Sequence, residues 1–373
     1  MRILFINLPY YGHVVPTVGL VQELINSGHS VTYMLPFEWE EKISDSGAQF
    51  HGYKNHFQLA EQMKNAISSA EKIIDDYDLI IYEQFFFLGK HLAEKHSKPA
   101  VRIFTSPATT KQLMDEFTHN GGAMGIFKYK WVSTAFTRDI AKNFSLKTND
   151  WLDEIVENPP DLNLVYTLKE YQPYADQFDQ NKFKFIGSSI YTRKEKPIDY
   201  KKSDRPLVYI SLGTVVKGAT KFFQRCVDAF RNENMDVIIS TGTKFKHSKL
   251  KNVPSHIYLY HSVPQMEVLK MADVFITHGG LNSVSEAMAH SVPMLVIPFS
   301  ADQPVNARMI ENLCVGKSLN FPQANAVNVK KYALAVMKDE KIKHNLANIQ
   351  KLIEKAPGNK GGAQLITEYF SNI

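Results

Sequence analysis

Residues 274–287, VFITHGGLNSVSEA, begin as a short apolar run and continue as an amphipathic segment, with a histidine and two glycines between them. A continuously apolar run is typical of a strand that is buried on both faces of a sheet. The segment that follows is predicted to be a helix that begins near Asn282. A strand, a glycine turn and a helix in this order form the repeating unit of an α/β fold with a parallel sheet.

The turn inside this stretch suits a phosphate group, because the first N–H groups of a helix lack internal partners and lie at the positive end of its dipole. Gly279 and Gly280 would let a ligand approach the backbone. Asn282 and Ser283 either cap the helix or donate further hydrogen bonds. Such a turn is also ordinary at strand-to-helix junctions, so His278 has a purely structural interpretation as a turn histidine.

The rest of the chain repeats this alternation of apolar runs and amphipathic segments. We predict buried strands at residues 3–8, 30–35, 78–82, 100–104, 162–166, 206–212, 236–240, 256–260, 273–277 and 293–298. Helices are predicted at 17–29 and 221–234, whereas residues 105–158 follow no clear pattern. These elements predict two doubly wound domains, residues 1–200 and 206–358, that face each other across a cleft.

The composition excludes several classes of protein. The chain has 373 residues and a net charge of +5, with 44% hydrophobic and 22% charged residues. This length favours two domains, and the scattered basic residues do not suggest a nucleic-acid partner. The basic, proline-containing segment 191–202 is predicted to be a solvated linker. Cys226 and Cys314 have no metal-ligand spacing and form no disulfide framework, which fits the cytoplasm. No apolar run is long enough for a signal peptide or a spanning helix, so stable membrane insertion is not expected.

A second motif follows the first along the chain. Residues 293–307, PMLVIPFSADQPVNA, contain the next predicted strand, with Asp302 and Gln303 at its carboxyl edge. Ligands bind at that edge in open α/β sheets. The first turn offers donors for a pyrophosphate, and this one offers a carboxylate and an amide that suit sugar hydroxyls.

Together the two motifs resemble the nucleotide-sugar-binding signature of family 1 glycosyltransferases, especially of the bacterial macrolide-type and YjiC-like members. The residues that carry the resemblance are His278, Gly279, Gly280, Asn282, Ser283, Glu286, Pro293, Pro298, Asp302, Gln303, Asn306 and Ala307. Residues 208–214, VYISLGT, and 262–273, SVPQMEVLKMAD, extend it upstream. The resemblance covers nearly the whole chain and is weakest over residues 105–158.

The resemblance implies a GT-B fold of two Rossmann-like domains, with the acceptor in the N-terminal domain and the donor in the C-terminal one. A final helix at about 360–373 would pack back onto the N-terminal domain. The residues implied at the donor diphosphate are Thr214, His278, Gly280, Asn282 and Ser283. Those implied at the ribose and base are Glu286, Ser262 and Val263, and those at the donor sugar are Asp302 and Gln303.

One position departs from the family pattern. The family places an aromatic ring that stacks on the nucleobase where this chain has Ser262, and a serine cannot stack. Either a neighbouring ring, His261 or Tyr260, replaces it, or the stacking is absent.

Sugar transfer to a hydroxyl group also needs a general base, because a hydroxyl is a weak nucleophile. Residues 3–20, ILFINLPYYGHVVPTVGL, place His13 in the turn after the first strand, where the following helix would favour a neutral imidazole. Residues 77–87, YDLIIYEQFFF, end a strand at Glu83, whose carboxylate could orient that imidazole. By resemblance His13 is the base of a Gly-His-x-x-Pro element, and Glu83 stands where the family usually has Asp. His13 taken alone also has a structural interpretation as a turn or capping histidine.

Aromatic residues are frequent in the N-terminal half after this strand. They are Phe85, Phe86, Phe87, Phe117, Phe127 and Trp131. These rings predict either an acceptor pocket for an apolar molecule or ordinary core packing.

We therefore predict an inverting glycosyltransferase that moves a hexose from a nucleoside-diphosphate sugar, with UDP favoured, to a hydroxyl of a small apolar or aromatic acceptor. No cofactor beyond this co-substrate is expected. No metal is expected either, because no Asp-x-Asp motif ends a strand and a helix terminus with His278 can replace a cation. We expect a monomer or a weak dimer.

Two alternatives stay open. One is transfer to a membrane lipid, for which residues 124–132, MGIFKYKWV, suggest a basic and apolar surface. The other is a catalytically silent protein that binds a nucleotide sugar or assists a partner.

Overall fold

The computed structural model describes residues 1–119, 122–146, 148, 150–189, 197–213 and 220–371, which form two compact units. The first unit comprises Met1–Tyr191 and Ala356–Ile373, and the second comprises Thr192–Lys355. Each unit contains one parallel sheet with flanking helices, so the predicted α/β class with two Rossmann-like domains is confirmed. Residues 191–196 of the predicted linker lie outside the described residues.

The described part of the first unit contains a seven-stranded parallel sheet. Its strands are β1 (Arg2–Ile6), β2 (Ser30–Pro36), β3 (Gln49–Tyr53), β4 (Leu79–Glu83), β5 (Ala100–Phe104), β6 (Leu162–Val165) and β7 (Phe183–Phe185). They are ordered β3-β2-β1-β4-β5-β6-β7. Its helices before the second unit are α1 (Tyr11–Asn26), α2 (Glu40–Ile43), α3 (Leu59–Ala70), α4 (Gly89–Lys95), α5 (Lys111–His119), α6 (Lys130–Asn143) and α7 (Trp151–Glu157).

The central strands of this sheet are covered on both faces, which explains their continuously apolar sequences. In β1, the side chains of Leu4 and Ile6 pack into one core, and those of Ile3 and Phe5 pack into the other. All four side chains are fully buried. β1, β4 and β5 are parallel neighbours in the sheet, so their carboxyl ends lie side by side at one edge.

The second unit has six parallel strands in its described residues. They are β8 (Leu207–Ser211), β9 (Asp236–Ser240), β10 (Ile257–Tyr260), β11 (Val274–Thr277), β12 (Met294–Val296) and β13 (Gly316–Ser318). Their order is β10-β9-β8-β11-β12-β13. The helices are α8 (Thr220–Phe230), α9 (Gln265–Met271), α10 (Leu281–Ala289), α11 (Gln303–Asn312), α12 (Ala326–Lys338) and α13 (Glu340–Lys355).

The last helix, α14 (Gly358–Ser371), belongs to the first unit. It packs against α1, and its Ala363 and Ile366 are buried in the same core as Leu20. Thr367 of α14 also lies within hydrogen-bond distance of His29, with 2.8 Å between Oγ1 and Nε2.

The segment 105–158, for which the sequence shows no clear pattern, contains α5, α6 and α7 together with a 3-10 helix at Gly122–Lys128. Other 3-10 helices are Phe37–Trp39, Ser44–Ser46, Ile74–Asp76, Lys169–Tyr171, Ala175–Gln177, His247–Lys249 and Phe321–Gln323. None of the helices in the described ranges is both long and apolar enough to cross a membrane.

Candidate functional site

His13 lies at the carboxyl edge of the first sheet. The sequence predicted His13 in the turn that precedes the first helix. Helix α1 begins at Tyr11, so His13 instead occupies the first turn of the helix. Its ring packs edge-on against Phe85, with 4.8 Å between ring centroids, and its side chain is 23% exposed. The imidazole of His13 therefore packs against Phe85 on one side, while part of the ring is accessible to solvent.

Glu83 is the last residue of β4 and its side chain is fully buried. Its Oε1 lies 3.0 Å from Nδ1 of His13, and its Oε2 accepts the N–H of Phe85 at 2.9 Å. A carboxylate can only accept hydrogen bonds, so it favours the imidazole tautomer that carries its proton on Nδ1. The lone pair of the neutral ring is then on Nε2, where it can take a proton.

Thr105, which directly follows β5, is a third member of this group, and no sequence motif predicts it. Its hydroxyl Oγ1 lies 2.6 Å from Nδ1 of His13 and donates to Oε1 of Glu83 at 2.8 Å. Glu83 ends β4, His13 lies in the helix after β1, and Thr105 follows β5. These three strands are neighbours in the sheet.

The rings predicted as an acceptor pocket do not lie together around His13. Phe86, Phe87 and Phe127 are buried in the hydrophobic core, so for these three the core interpretation is correct. Trp131 is 75% exposed. Phe85 is the member of this set whose ring contacts His13.

A different set of aromatic rings is exposed on the segments that directly follow β1, β2 and β3. These rings are Tyr10, Tyr11, Phe37 and Phe57. The ring of Tyr10 lies 5.9 Å from that of His13, between centroids, and the ring of Tyr11 lies 6.5 Å from that of Trp39. The segments after these three strands therefore present aromatic rings to solvent.

In the second unit, His278 directly follows β11 and precedes α10. The helix begins at Leu281 with Gly280 as its N-cap residue, so Asn282 and Ser283 lie in its first turn and do not cap it. His278 is only 9% exposed, and burial lowers its pKa to about 4. Its imidazole is therefore neutral at pH 7, and it offers a hydrogen bond and not the charge of a cation.

The glycines around His278 leave room for its ring. A Cβ at Gly213 would lie 2.7 Å from the ring Cε1, and a Cβ at Gly280 would lie 2.8 Å from Nε2. Gly213 and Gly279 also adopt positive φ angles of 67° and 88°. Among the described residues, no group forms a hydrogen bond with Nδ1 of this buried ring.

Gln265, at the start of α9, connects two of the predicted donor residues. Its Nε2 donates to Oε2 of Glu286 at 2.7 Å and to Oγ of Ser283 at 3.2 Å, while its Oε1 accepts the hydroxyl of Tyr209 at 3.0 Å. Glu286 is buried. The sequence assigned no role to Gln265, which orients this carboxylate.

Asn306 joins the two turns that the sequence singled out. Its Nδ2 donates to the carbonyl oxygen of Gly279 at 2.8 Å and to Oδ2 of Asp302 at 2.9 Å. Asp302 is the N-cap residue of α11. Gln303 uses its Oε1 to accept the N–H groups of Phe299 and Ser300.

The position that departs from the family pattern, Ser262, is exposed, and its neighbour Val263 is buried. His261 is exposed and stacks on His247, with 4.2 Å between ring centroids and 20° between ring planes. The hydroxyl of Tyr260 donates to the carbonyl oxygen of Asp199 at 3.0 Å.

The last two predictions concern Thr214 and a metal ion. Thr214, predicted at the diphosphate, lies outside the described residues. Within the described part of the chain, no three His, Cys, Asp or Glu side chains form a group that could hold a metal ion.

Comparisons with known proteins agree on one family. Residues 182–359 match the family model described as UDP-glucoronosyl and UDP-glucosyl transferase. The chain is 32% identical to the NDP-glycosyltransferase YjiC of Bacillus subtilis (99% of this chain, 97% of that protein) and 30% identical to that of Bacillus licheniformis (99% and 98%). It also resembles the structure of CalG4, the calicheamicin glycosyltransferase, with a TM-score of 0.87, 25% identity and coverage of 100% and 98%.

Proposed function

The chain belongs to the bacterial YjiC-like group of family 1 glycosyltransferases, and from this premise we propose that it is an inverting enzyme that transfers a hexose from a nucleoside diphosphate to a hydroxyl group. The acceptor oxygen forms a bond to the anomeric carbon while the bond from that carbon to the diphosphate oxygen breaks. The acceptor proton passes to Nε2 of His13, and the nucleoside diphosphate leaves with the electron pair. One displacement of this kind inverts the configuration of the anomeric carbon.

The single observation that carries this proposal is the contact between Nδ1 of His13 and Oε1 of Glu83 at 3.0 Å. As His13 takes the proton, its ring becomes an imidazolium whose Nδ1–H faces the buried carboxylate. The carboxylate stabilises that charge and holds the ring in place, as in other acid–base pairs.

The donor is held, in this proposal, by the second unit. The N–H groups at the start of α10 bind the diphosphate, and the neutral His278 adds a hydrogen bond. Glu286, oriented by Gln265, accepts the ribose hydroxyls, and Asp302 with Gln303 binds the hexose. UDP is the favoured nucleotide because the matching family is described by UDP-sugars. Neither a metal nor a cofactor is required, since the backbone donors offset the leaving-group charge.

The acceptor is, in this proposal, a small molecule with an apolar or aromatic body. The exposed rings of Tyr10, Tyr11, Phe37 and Phe57 support it, because hydrophobic and aromatic side chains predominate in sites that bind such molecules. The calicheamicin glycosyltransferase, a structural relative, is named for a natural product, and we extend that class of acceptor to this chain. We place the protein in the cytoplasm, as a monomer or weak dimer.

The test compares the wild type with His13→Ala. We expect the rate of transfer from UDP-glucose to a panel of phenolic and macrolide acceptors to fall about 100- to 10,000-fold. Binding of UDP, measured by calorimetry, should be unchanged because His13 belongs to the other unit. The matched control is His119→Ala, an exposed histidine of the same unit.

Three results would contradict parts of this proposal. Transfer by His13→Ala at the wild-type rate would remove His13 as the base. A wild-type protein that binds UDP-sugars but glycosylates no member of the panel would favour the silent alternative. If no UDP-, TDP- or GDP-sugar raises the melting temperature, the donor site is wrong, because a ligand that binds only the folded state stabilises it.

A membrane-lipid acceptor is the second candidate, and the exposed side chains of Ile126, Tyr129 and Trp131 favour it. Lys128 lies over the ring of Tyr129 at 5.0 Å, so this surface is both apolar and basic. Such surfaces bind anionic membranes. Sedimentation with vesicles of anionic phospholipid tests it: binding that Trp131→Ala abolishes and Leu352→Ala retains would support a lipid acceptor, and no binding would exclude this role of the surface.

A further inference from the structure

Thr105 forms a closed triangle with the two side chains of the proposed base. Its hydroxyl Oγ1 lies 2.6 Å from Nδ1 of His13 and 2.8 Å from Oε1 of Glu83, and these two atoms are 3.0 Å apart. Only 3% of Thr105 is exposed, so water does not compete for its hydroxyl.

The protons within the triangle can be assigned from its geometry. The carboxylate oxygen has no proton to donate, and the Thr105 hydroxyl donates its single proton to that oxygen. The side of Oγ1 that faces His13 therefore presents a lone pair, and only a protonated Nδ1 can form a hydrogen bond with it. Both acceptors thus favour the same tautomer, with the basic lone pair on Nε2.

Thr105 also restrains the carboxylate itself. A glutamate has one more rotatable bond than an aspartate, so its carboxylate is held less firmly by its own backbone. Here the hydroxyl of Thr105 binds Oε1, and the backbone N–H of Phe85 binds Oε2 at 2.9 Å. Each oxygen of Glu83 therefore has one protein donor besides the histidine.

We propose that Thr105 is a positioning residue of the transfer reaction, whose hydroxyl fixes the Glu83 carboxylate and the His13 ring so that Nε2 faces the acceptor. The inference rests on the proposed role of His13 as base. Thr105 acts through these two side chains and does not itself exchange a proton with the substrate. A histidine free to rotate, or to change tautomer, would present Nε2 in the reactive state for a smaller part of the time.

Two substitutions separate the hydroxyl from the shape of the side chain. Thr105→Val keeps the volume and removes the hydroxyl, whereas Thr105→Ser keeps the hydroxyl and removes a methyl group. We expect Thr105→Val to lower kcat about 10- to 100-fold, since small misplacements of a catalytic group have effects of this size. In Thr105→Val the KM for the UDP-sugar should change by less than about twofold. Thr105→Ser should keep most of the activity.

A double-mutant cycle distinguishes positioning from a structural role. If Thr105 acts through His13, Thr105→Val will cause no further loss in the His13→Ala background. An equal loss in both backgrounds, together with a lowered melting temperature, would show that the hydroxyl serves only to stabilise the fold. Wild-type kcat in Thr105→Val would also overturn the inference.

The same set of variants separates this inference from the proposed function. If His13→Ala transfers sugar at the wild-type rate, the base assignment fails and Thr105 has no base to position. If His13→Ala is inactive and Thr105→Val is fully active, the proposed function holds and the role of Thr105 is wrong.

Discussion

Glu83 and His13 are 70 residues apart in the sequence, and their side chains meet with 3.0 Å between Oε1 and Nδ1. The parallel pairing of β1 with β4 brings them together, because Glu83 is the last residue of β4 and His13 lies in the first turn of the helix that follows β1. The carboxylate is fully buried and the imidazole is partly exposed. The pair therefore combines a carboxylate inside the protein with an imidazole that solvent can partly reach.

Substitutions of Glu83 should separate the effect of its charge from that of its length. Glu83→Gln keeps the length but removes the charge that stabilises the imidazolium, and we expect kcat to fall about 100-fold or more. Glu83→Asp keeps the charge but withdraws the carboxylate by one methylene, and we expect a loss of about tenfold. Steady-state kinetics with UDP-glucose and one accepted phenol measures both. A Gln variant as active as the Asp variant would show that the charge is unimportant.

The burial of His278 should make the second unit less stable in acid. Burial lowers the pKa of His278 from 6.5 to about 4, so between these values the unfolded chain takes up a proton that the folded chain does not. Above pH 6.5 this group causes no loss of stability. As the pH falls from 6.5 toward 4, the free energy of unfolding decreases by about 3 kcal/mol because of this group.

Hydrogen exchange of the β11 and α10 peptides at pH 7 and pH 4.5 measures this effect after correction for intrinsic exchange rates. His278→Gln should remove most of the difference in protection between the two pH values. The same difference in the wild type and the variant would show that other groups cause the acid sensitivity.

Substitution of Gly280 should disturb the donor site without preventing the local backbone conformation. Its φ of −64° is accessible to alanine, but the new Cβ would lie 2.8 Å from Nε2 of His278. We expect Gly280→Ala to displace the imidazole and to weaken UDP binding about tenfold, which is the loss of one good hydrogen bond. Gly125→Ala, where the nearest atom is 3.7 Å away, is the control. Unchanged affinity would show that the ring does not contact the diphosphate.

The base end of the donor site can be tested by adding and removing rings. Ser262→Trp should increase the affinity for UDP by about tenfold, because stacking of a base on an aromatic ring contributes about 1–3 kcal/mol. If His261 already replaces that ring, His261→Ala should weaken UDP binding while leaving the affinity for pyrophosphate unchanged. Calorimetry with both ligands measures this, and no effect of His261→Ala would show that base stacking is absent in the wild type.

The sequence identified the interior strands of both sheets but missed three strands at their edges. β1, β4 and β5 are buried and mainly apolar because both of their faces are covered, although they include Arg2, Glu83 and Arg102. β3, by contrast, has the sequence QFHGY and is largely half-exposed, and β7 and β13 are only three residues long. An edge strand has one neighbour and little cover, so its residues need not form a continuous apolar run. The edge strand β10, with the sequence IYLY, does form one and lies within the predicted strand 256–260.

For the candidate site, the sequence located the turns but not the side chains that orient the predicted residues. His278 and Asp302 could be found because they stand beside glycines or after strands in a recognisable motif. Thr105 belongs to no motif, and Gln265 and Asn306 belong to motifs that assign them no role. Each acts through hydrogen bonds to residues that are distant in the sequence. Such contacts leave no local periodicity, so they appear only when the sheet order is known.

The position of α14 has a consequence for protein synthesis. The second unit, Thr192–Lys355, is continuous in the chain, whereas the first unit needs both its N-terminal part and a helix that is made after the second unit. A ribosome therefore releases all residues of the second unit before α14 can bury Ala363 and Ile366 against α1. During translation the unit that is started first is therefore completed only after the second unit has been made, and until then α14 cannot cover its surface of α1.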